Sequence, residues 1–409
     1  MGPLLFVSLC LLVLIAWAKE SPSSALLQRA IPRQLPFTHV RFHAEDKWPR
    51  CASVFRQIRN QGECNSCWAL APADVLRDRY CIRLLYGQEV PLKLVIGDAQ
   101  RYIPNFSVGD VLSCCRLCYR PAGCTTGGRP QLAWSHFKLV GATVEDRAKS
   151  ASEFSYMYPP CNHSLPANAL RFIPRLSASG DEPVPPKLPY CQRASIVPPP
   201  CPPAAAQRKR VKISDTVVIR GSPDDPKDVE IMREIFEHGP VQATMVAFPV
   251  LASYPRGNAT PLVYQCRMEV WLKKLRDNPN ALENQRRSHS VRIVGWGTMQ
   301  QAPPESPKSP ASDTSKTSRT STLGKRVGWS SSRRFTRPPG DFTPSREEEF
   351  FRRCQITNDD IAGPDSTGAV KYWIVANSWG SDWGDSGFFY VARGRQDCRI
   401  SQAVIGPRS

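Results

Sequence analysis

Apolar positions recur along this chain in two rhythms, and long stretches follow neither. From Cys67 onward, Trp68, Ala71, Val75, Leu76 and Arg79 fall at helical spacing, predicting a helix with one face packed inward. Pro72 lies five residues into that helix, where it removes the hydrogen bond to the Trp68 carbonyl and predicts a kink. A second helix is predicted over Asp228–His238, with Val229, Met232, Ile235 and Phe236 on one face and Gly239-Pro240 as its stop. Strand-like runs follow at Val241–Phe248, Val291–Trp296, Tyr372–Ala376 and Phe388–Ala392. A helical first half over 48–201 and a strand-rich second half over 211–409 make an α+β chain.

Between two of those strands, 299–366 breaks the pattern. Within 301–346, Ser, Thr and Pro supply 23 of 46 residues, too little apolar surface to offset the entropy of ordering. A disordered surface insertion is expected. The same segment holds nine Lys/Arg against three Asp/Glu, a net of +6 within the chain's formal +18. A solvated charged loop is the first reading of that excess, and contact with a polyanion the second. Nothing in the chain implies a cofactor, a metal or a specific nucleic acid.

Leu4 to Ala18 is an apolar run, interrupted only by Ser8, closing on Ala16-Trp17-Ala18. Its length is short for a bilayer, and its position predicts a secretory signal over 1–18, with no transmembrane anchor elsewhere. The chain has fifteen cysteines, which in a secretory setting imply disulfides. Setting aside Cys10 in the signal and Cys67 leaves thirteen, so at least one further thiol stays unpaired.

The chemistry lies in three blocks: Gln-Gly-Glu-Cys-Asn-Ser-Cys-Trp-Ala at 61–69, Ser-His-Ser-Val-Arg-Ile-Val-Gly-Trp-Gly at 288–297, and Val-Ala-Asn-Ser-Trp-Gly-Ser-Asp-Trp-Gly at 375–384. A thiolate attacks a carbonyl, an imidazole shuttles the proton, and an amide orients the imidazole. Cys67, His289 and Asn377 offer those three groups. A nucleophile at a helix N-terminus also gains thiolate stability from the helix dipole.

On these blocks the chain resembles the papain family of cysteine peptidases, most closely its cathepsin B branch. The resemblance implies a two-domain fold, a helical left half and a β-barrel right half with the active-site cleft between them. It makes Cys67 the nucleophile, His289 the base, Asn377 the orienting amide and Gln61 the oxyanion donor. Trp379 would shield the Asn–His hydrogen bond, while Trp383 would only pack. Asn65 stands where the family has Gly, a change that a left-handed backbone tolerates. Gly127-Gly128 resembles the family strip that pairs with substrate backbone, although one extra residue follows Cys124 and a simple turn is the other reading. His289 lies 222 residues after Cys67 and Asn377 lies 310 after. Both exceed the spacing of about 130–150 that the resemblance implies, and insertions at 161–191, 250–288 and 299–366 account for most of the difference.

The resemblance also implies the bridges Cys51–Cys81, Cys64–Cys124, Cys114–Cys201, Cys115–Cys118 and Cys161–Cys191. It makes Cys398 a free thiol, and exclusion leaves Cys266 to pair with Cys354. The peptidase domain would span 35–409 after a short pro-segment at 19–34, where the family has a longer propeptide. The cathepsin B occluding loop opens Cys-x-His-His, whereas here Cys161-Asn162-His163-Ser164 keeps only the first His. His163 is either a receptor for a substrate carboxylate or a surface residue. Sequons stand at Asn105, Asn162 and Asn258. The acidic floor of the S2 pocket falls on Ala403, beside Pro130 and Ser290, which implies an apolar P2 preference.

The expected activity is therefore endopeptidase cleavage with weakened peptidyl-dipeptidase action. Protein and peptide substrates, and cystatin-type inhibitors, are the implied partners. The implied location is the secretory pathway, either a lysosome- or endosome-like compartment or the extracellular space. The competing class is a non-catalytic papain-fold antigen or matrix-binding protein.

Overall fold

A computed structural model describes residues 37–87, 103–118, 123–145, 155–164, 188–191, 197–203, 208–222, 226–256, 262–266, 287–301, 368–394 and 398–408. Its main elements in chain order are β1 (Phe37–His43), α1 (Cys67–Tyr86), α2 (Val108–Cys114), α3 (Pro130–Leu139), β2 (Asp215–Ile219), α4 (Asp228–His238), β3 (Val241–Ala247), β4 (Val263–Tyr264), β5 (Arg287–Gln301), β6 (Ala369–Ala376), β7 (Phe388–Ala392) and β8 (Val404–Arg408). Among the described residues the signal run is not included, and neither is most of the insertion. The strand β5 nevertheless extends through Gln301, so the ordered ladder reaches past residue 299, where the insertion was expected to begin.

Eight strands form one sheet in the order β2-β8-β3-β5-β6-β7-β4, with β1 pairing on β5. The 15-residue β5 is the spine. Its partner β6 runs antiparallel over most of its length, and the remaining pairings divide it: β3 opposes Arg287–Ile293 and β1 opposes Gly295–Gln301. Sharing one long strand in this way branches the sheet. Among the described residues it does not close into the barrel that was expected.

Two apolar clusters match the two halves. One gathers Trp68, Leu70, Val75, Phe106, Leu112, Trp134 and Phe137 around α1, α2 and α3. The other gathers Ile231, Ile235, Val241, Met245, Val291, Ile293, Trp373 and Phe389 around the sheet. The helix α1 lies in the first cluster and also packs close to β5 and β3. Every residue from Cys67 to Arg79 is buried, so the expected single inward face is replaced by burial all round. The helix is also unbroken across Pro72, which has no N–H to donate to the Trp68 carbonyl.

The face of α4 is rotated from the expected one. Ile231 and Ile235 are buried, whereas Val229 and Phe236 are largely exposed. Glu234 takes the buried place because Arg79 and Arg408 both bond its carboxylate. Phe236 instead packs against Phe42 at the surface, ring centroids 5.4 Å apart.

The structure joins Cys51–Cys81, Cys64–Cys124, Cys114–Cys201, Cys115–Cys118 and Cys161–Cys191. It corrects the remaining assignment, since Cys398 is not free but bonded to Cys266. Both sit against the end of β3: the Val246 N–H donates to the Cys398 carbonyl, and Cys266 Sγ lies 3.3 Å from the Val246 oxygen. Cys354 lies outside the described residues. Among the described cysteines only Cys67 is unpaired.

Candidate active site

Cys67 begins α1, and the first turn of that helix carries no acidic side chain to oppose a thiolate. The sulfur is buried. Burial alone would push its pKa up, but the charge and hydrogen bond of His289, with the backbone amides of Ser290 and Trp68, outweigh this and hold the thiol below its ordinary range. His289 comes from β5. Burial pulls its pKa down, and Cys67 together with Asn377 more than reverses this, holding it above the ordinary histidine range. The pair therefore favours thiolate and imidazolium together.

Asn377, just past the end of β6, completes the set. His289 Nε2 lies 2.8 Å from Asn377 Oδ1, which also accepts from the Ser378 N–H at 2.8 Å. With Nε2 engaged there, the Cys67 bond is left to Nδ1. The Trp379 ring lies against His289 at 5.3 Å and packs edge-on to the buried Trp383 at 4.8 Å. That apolar cover keeps water from the imidazole–amide bond, which strengthens it.

The side chain of Gln61 is held at both ends. Its Nε2 donates to the Cys64 carbonyl at 3.0 Å, and its Oε1 accepts from Ser378 Oγ at 2.7 Å. Its backbone N–H donates to the Ser378 carbonyl. Ser378 was not singled out from the sequence, although it stands between two residues that were.

Gly127 and Gly128 follow the turn at 123–126 and lie along the indole of Trp68. A Cβ on Gly128 would come within 2.5 Å of that ring, so close packing demands glycine there. Asn65 is not among the residues with positive φ. Instead its backbone N–H and its side-chain Nδ2 donate to the carbonyls of Cys124 and Thr125. The expected left-handed conformation is thus replaced by an amide that ties the loop before Cys67 to the turn leading into the glycine strip.

On the other side, Ser290 opposes Thr244 across the β3–β5 ladder, and the Thr244 N–H donates to the Ala403 carbonyl. Gln242 donates to Ser290 Oγ and accepts from the indole of Trp134, a residue of the helix that Pro130 opens. Ala403, Ser290 and Pro130 therefore belong to one linked region, and none of its linking groups is a carboxylate.

His163 stacks on Trp379, with ring centroids 5.3 Å apart and planes 9° from parallel. Its Nε2 lies 3.3 Å from Asn60 Oδ1. Burial, and then the charge of His289, push its pKa down to about 3, so the ring is neutral where a carboxylate would need a cation. Asn60 also donates to the carbonyls of Cys161 and Trp379, fastening the loop base to the indole. Cys161, His163 and Cys191 are close enough together to suggest a metal site, but the two sulfurs are spent on each other.

Of the sequons, Asn105 is half-buried, and its Oδ1 accepts from the buried Arg77. Asn162 Oδ1 accepts from the Ser164 N–H, and Asn258 lies outside the described residues. Among the described residues no helix is long and apolar enough to cross a membrane.

A family model described as papain family cysteine protease matches residues 44–305 and 356–408, skipping the Ser/Thr/Pro-rich stretch. The chain is 22% identical over 370 residues to a cathepsin B-like cysteine proteinase of Schistosoma japonicum, covering 89% of this chain and 71% of that protein. It is 25% identical over 368 residues to cathepsin B-like cysteine proteinase 4 of Caenorhabditis elegans, covering 89% and 73%. Among solved structures it is similar to procathepsin B S9 from Trypanosoma congolense at 19% identity, with a TM-score of 0.48 over 93% of this chain and 80% of that one.

Proposed function

We propose that this chain, which belongs to the papain family of cysteine proteases, is a cathepsin B-type endopeptidase that cleaves peptide bonds through Cys67, His289 and Asn377. The observation that carries this reading is the buried Cys67–His289 pair, with the thiol pulled down, the imidazole pushed up and Asn377 bonded to the far ring nitrogen. The thiolate would attack the scissile carbonyl, and the imidazolium would protonate the leaving amine. Gln61 and the Cys67 N–H would donate to the oxyanion. Its substrates would be proteins and peptides met in the secretory pathway, in an endolysosomal compartment or outside the cell.

The test is labelling with an epoxide-type thiol inhibitor. One equivalent bound to Cys67, with peptide cleavage lost in step, is the expected result. A chain that cleaves nothing and leaves Cys67 unlabelled would instead be a non-catalytic relative.

An apolar P2 preference follows from Ala403. An Arg side chain there would lose water without gaining a countercharge. A Leu or Phe would gain about 1.5–3 kcal/mol from burial. Phe-Arg or Leu-Arg substrates are expected to be cleaved at least about tenfold better than Arg-Arg ones, since about 1.4 kcal/mol is a factor of ten. Ala403→Glu should raise Arg-Arg turnover selectively. Equal kcat/KM for both substrate types in the unmodified chain would place the charge elsewhere.

Weak dipeptide release is expected for a related reason. His163 is neutral and committed to Asn60 and Trp379, and Ser164 replaces a second imidazole. Comparing a peptide with a free C-terminus against its amide measures this directly. A strong preference for the free acid would contradict the reading, and Ser164→His should increase whatever preference exists.

A further inference from the structure

Gln61 is fixed by its partners more completely than its sequence context requires, and one of those partners comes from outside the three chemical blocks. Four bonds hold it: its N–H to the Ser378 carbonyl, its Oε1 to Ser378 Oγ, its Nε2 to the Cys64 carbonyl, and its own carbonyl to Tyr156 Oη at 2.5 Å. An amide nitrogen carries two hydrogens, and these bonds use one. Where the other points depends on the pose of the whole residue.

The Tyr156 hydroxyl has a second bond, to Ser66 Oγ at 2.6 Å. A phenol has a single hydrogen, and the Gln61 carbonyl can only accept, so Ser66 donates to Tyr156 and Tyr156 donates to Gln61. Burial raises the phenol above its ordinary range, which keeps that hydrogen in place. Ser66 immediately precedes the nucleophile, and its side chain makes no capping bond to α1. Its hydroxyl is therefore committed to this relay, apart from a long 3.4 Å contact with the Cys64 carbonyl. Tyr156 itself lies five residues before Cys161, in the segment that leads into the Cys161–Cys191 loop.

We infer that Tyr156 is a positioning residue for the oxyanion donor: its hydroxyl, held between Ser66 and the Gln61 carbonyl, sets the pose of the Gln61 amide relative to the nucleophile. This rests on the peptidase reading above. Removing the hydroxyl should weaken stabilisation of the oxyanion while leaving the thiolate–imidazolium pair intact.

The experiment is Tyr156→Phe in the full chain, with three readouts. kcat should fall about tenfold, short of the loss of a whole oxyanion donor, while KM stays within about twofold. Affinity for a peptide aldehyde, whose adduct oxygen would occupy the oxyanion position, should fall by a similar factor. The rate of Cys67 alkylation by iodoacetamide, which needs no oxyanion donor, should be unchanged. In a Gln61→Ala background the same substitution should cost nothing further, because coupled residues are not additive.

An unchanged kcat, an equal loss in the Gln61→Ala background, or alkylation falling in parallel with kcat would each overturn the inference. The last outcome would mean that Tyr156 only supports the fold. If Tyr156→Phe does not fold, Ser66→Ala removes the other end of the relay and should give the same pattern at smaller size; normal catalysis in that variant overturns the inference too. An unmodified chain that neither cleaves nor alkylates overturns the peptidase reading, and this inference with it. An active unmodified chain beside an unaffected variant overturns the inference alone.

Discussion

Cys67→Ala is expected to abolish peptide cleavage, a loss on the order of 10⁴-fold or more, without unfolding the protein. His289→Ala should do the same, because each removes one half of the ion pair on which the proposed reaction depends. Asn377→Ala should leave a reduced rate, since the imidazole would keep its place on β5 but lose its orienting acceptor. In the unmodified chain the rate should follow a bell-shaped pH profile. The depressed Cys67 pKa sets the acid limb, where thiolate forms as pH rises. The raised His289 pKa sets the alkaline limb, where imidazolium is lost. The two groups titrate as a coupled pair, so both limbs belong to the pair. Steady-state rates on a fluorogenic peptide, with circular dichroism for folding, check all of this. Cleavage surviving in a purified, folded Cys67→Ala protein would sink the catalytic assignment.

Arg292→Ala is expected to cost about 3–5 kcal/mol of stability, the range for stripping one partner from a buried ion pair. Arg292 Nη1 lies 2.8 Å from both oxygens of Asp78, and Nη2 donates to the Phe55 carbonyl at 2.8 Å. Both side chains are buried, one on β5 and the other on α1, so the pair ties the strand of His289 to the helix of Cys67. Arg77 adds contacts to Asp74 and Asp78, and Arg59 adds one to Asp74. Burial dominates the Asp78 environment and pushes its pKa up to about 6 despite Arg292 and Arg77. A carboxyl raised by folding contributes stability that is complete below its unfolded pKa, about 3.9, and that is lost as pH rises through about 6. Asp78 therefore favours the fold in mildly acid conditions over neutral ones. Thermal unfolding at pH 4.5 and 7.5 measures this contribution, and Asp78→Asn should remove that part of the difference. A melting temperature unchanged by Arg292→Ala would refute the clamp.

The sequence by itself determined the chemical inventory and part of the element list. Strands such as Phe37–His43 and Val404–Arg408 and the helices Val108–Cys114 and Pro130–Leu139 were not read from it. The helix at Asp228–His238 and the strand at Phe388–Ala392 were legible because periodicity and stop residues are local signals. The three motif blocks were legible because a thiol, an imidazole and an amide each need particular neighbours to work. Which face a helix buries was less legible: Glu234 takes the inward place expected for Phe236 because two arginines distant in the chain bond its carboxylate. The Cys266–Cys398 bridge could not be read either, since pairing depends on where two loops meet against β3. Tyr156, Ser378, Asn60, Asp78 and Arg292 carry no sequence signal of their own roles. Each acts through a hydrogen bond or ion pair to a residue far along the chain, and only tertiary structure decides which donor faces which acceptor.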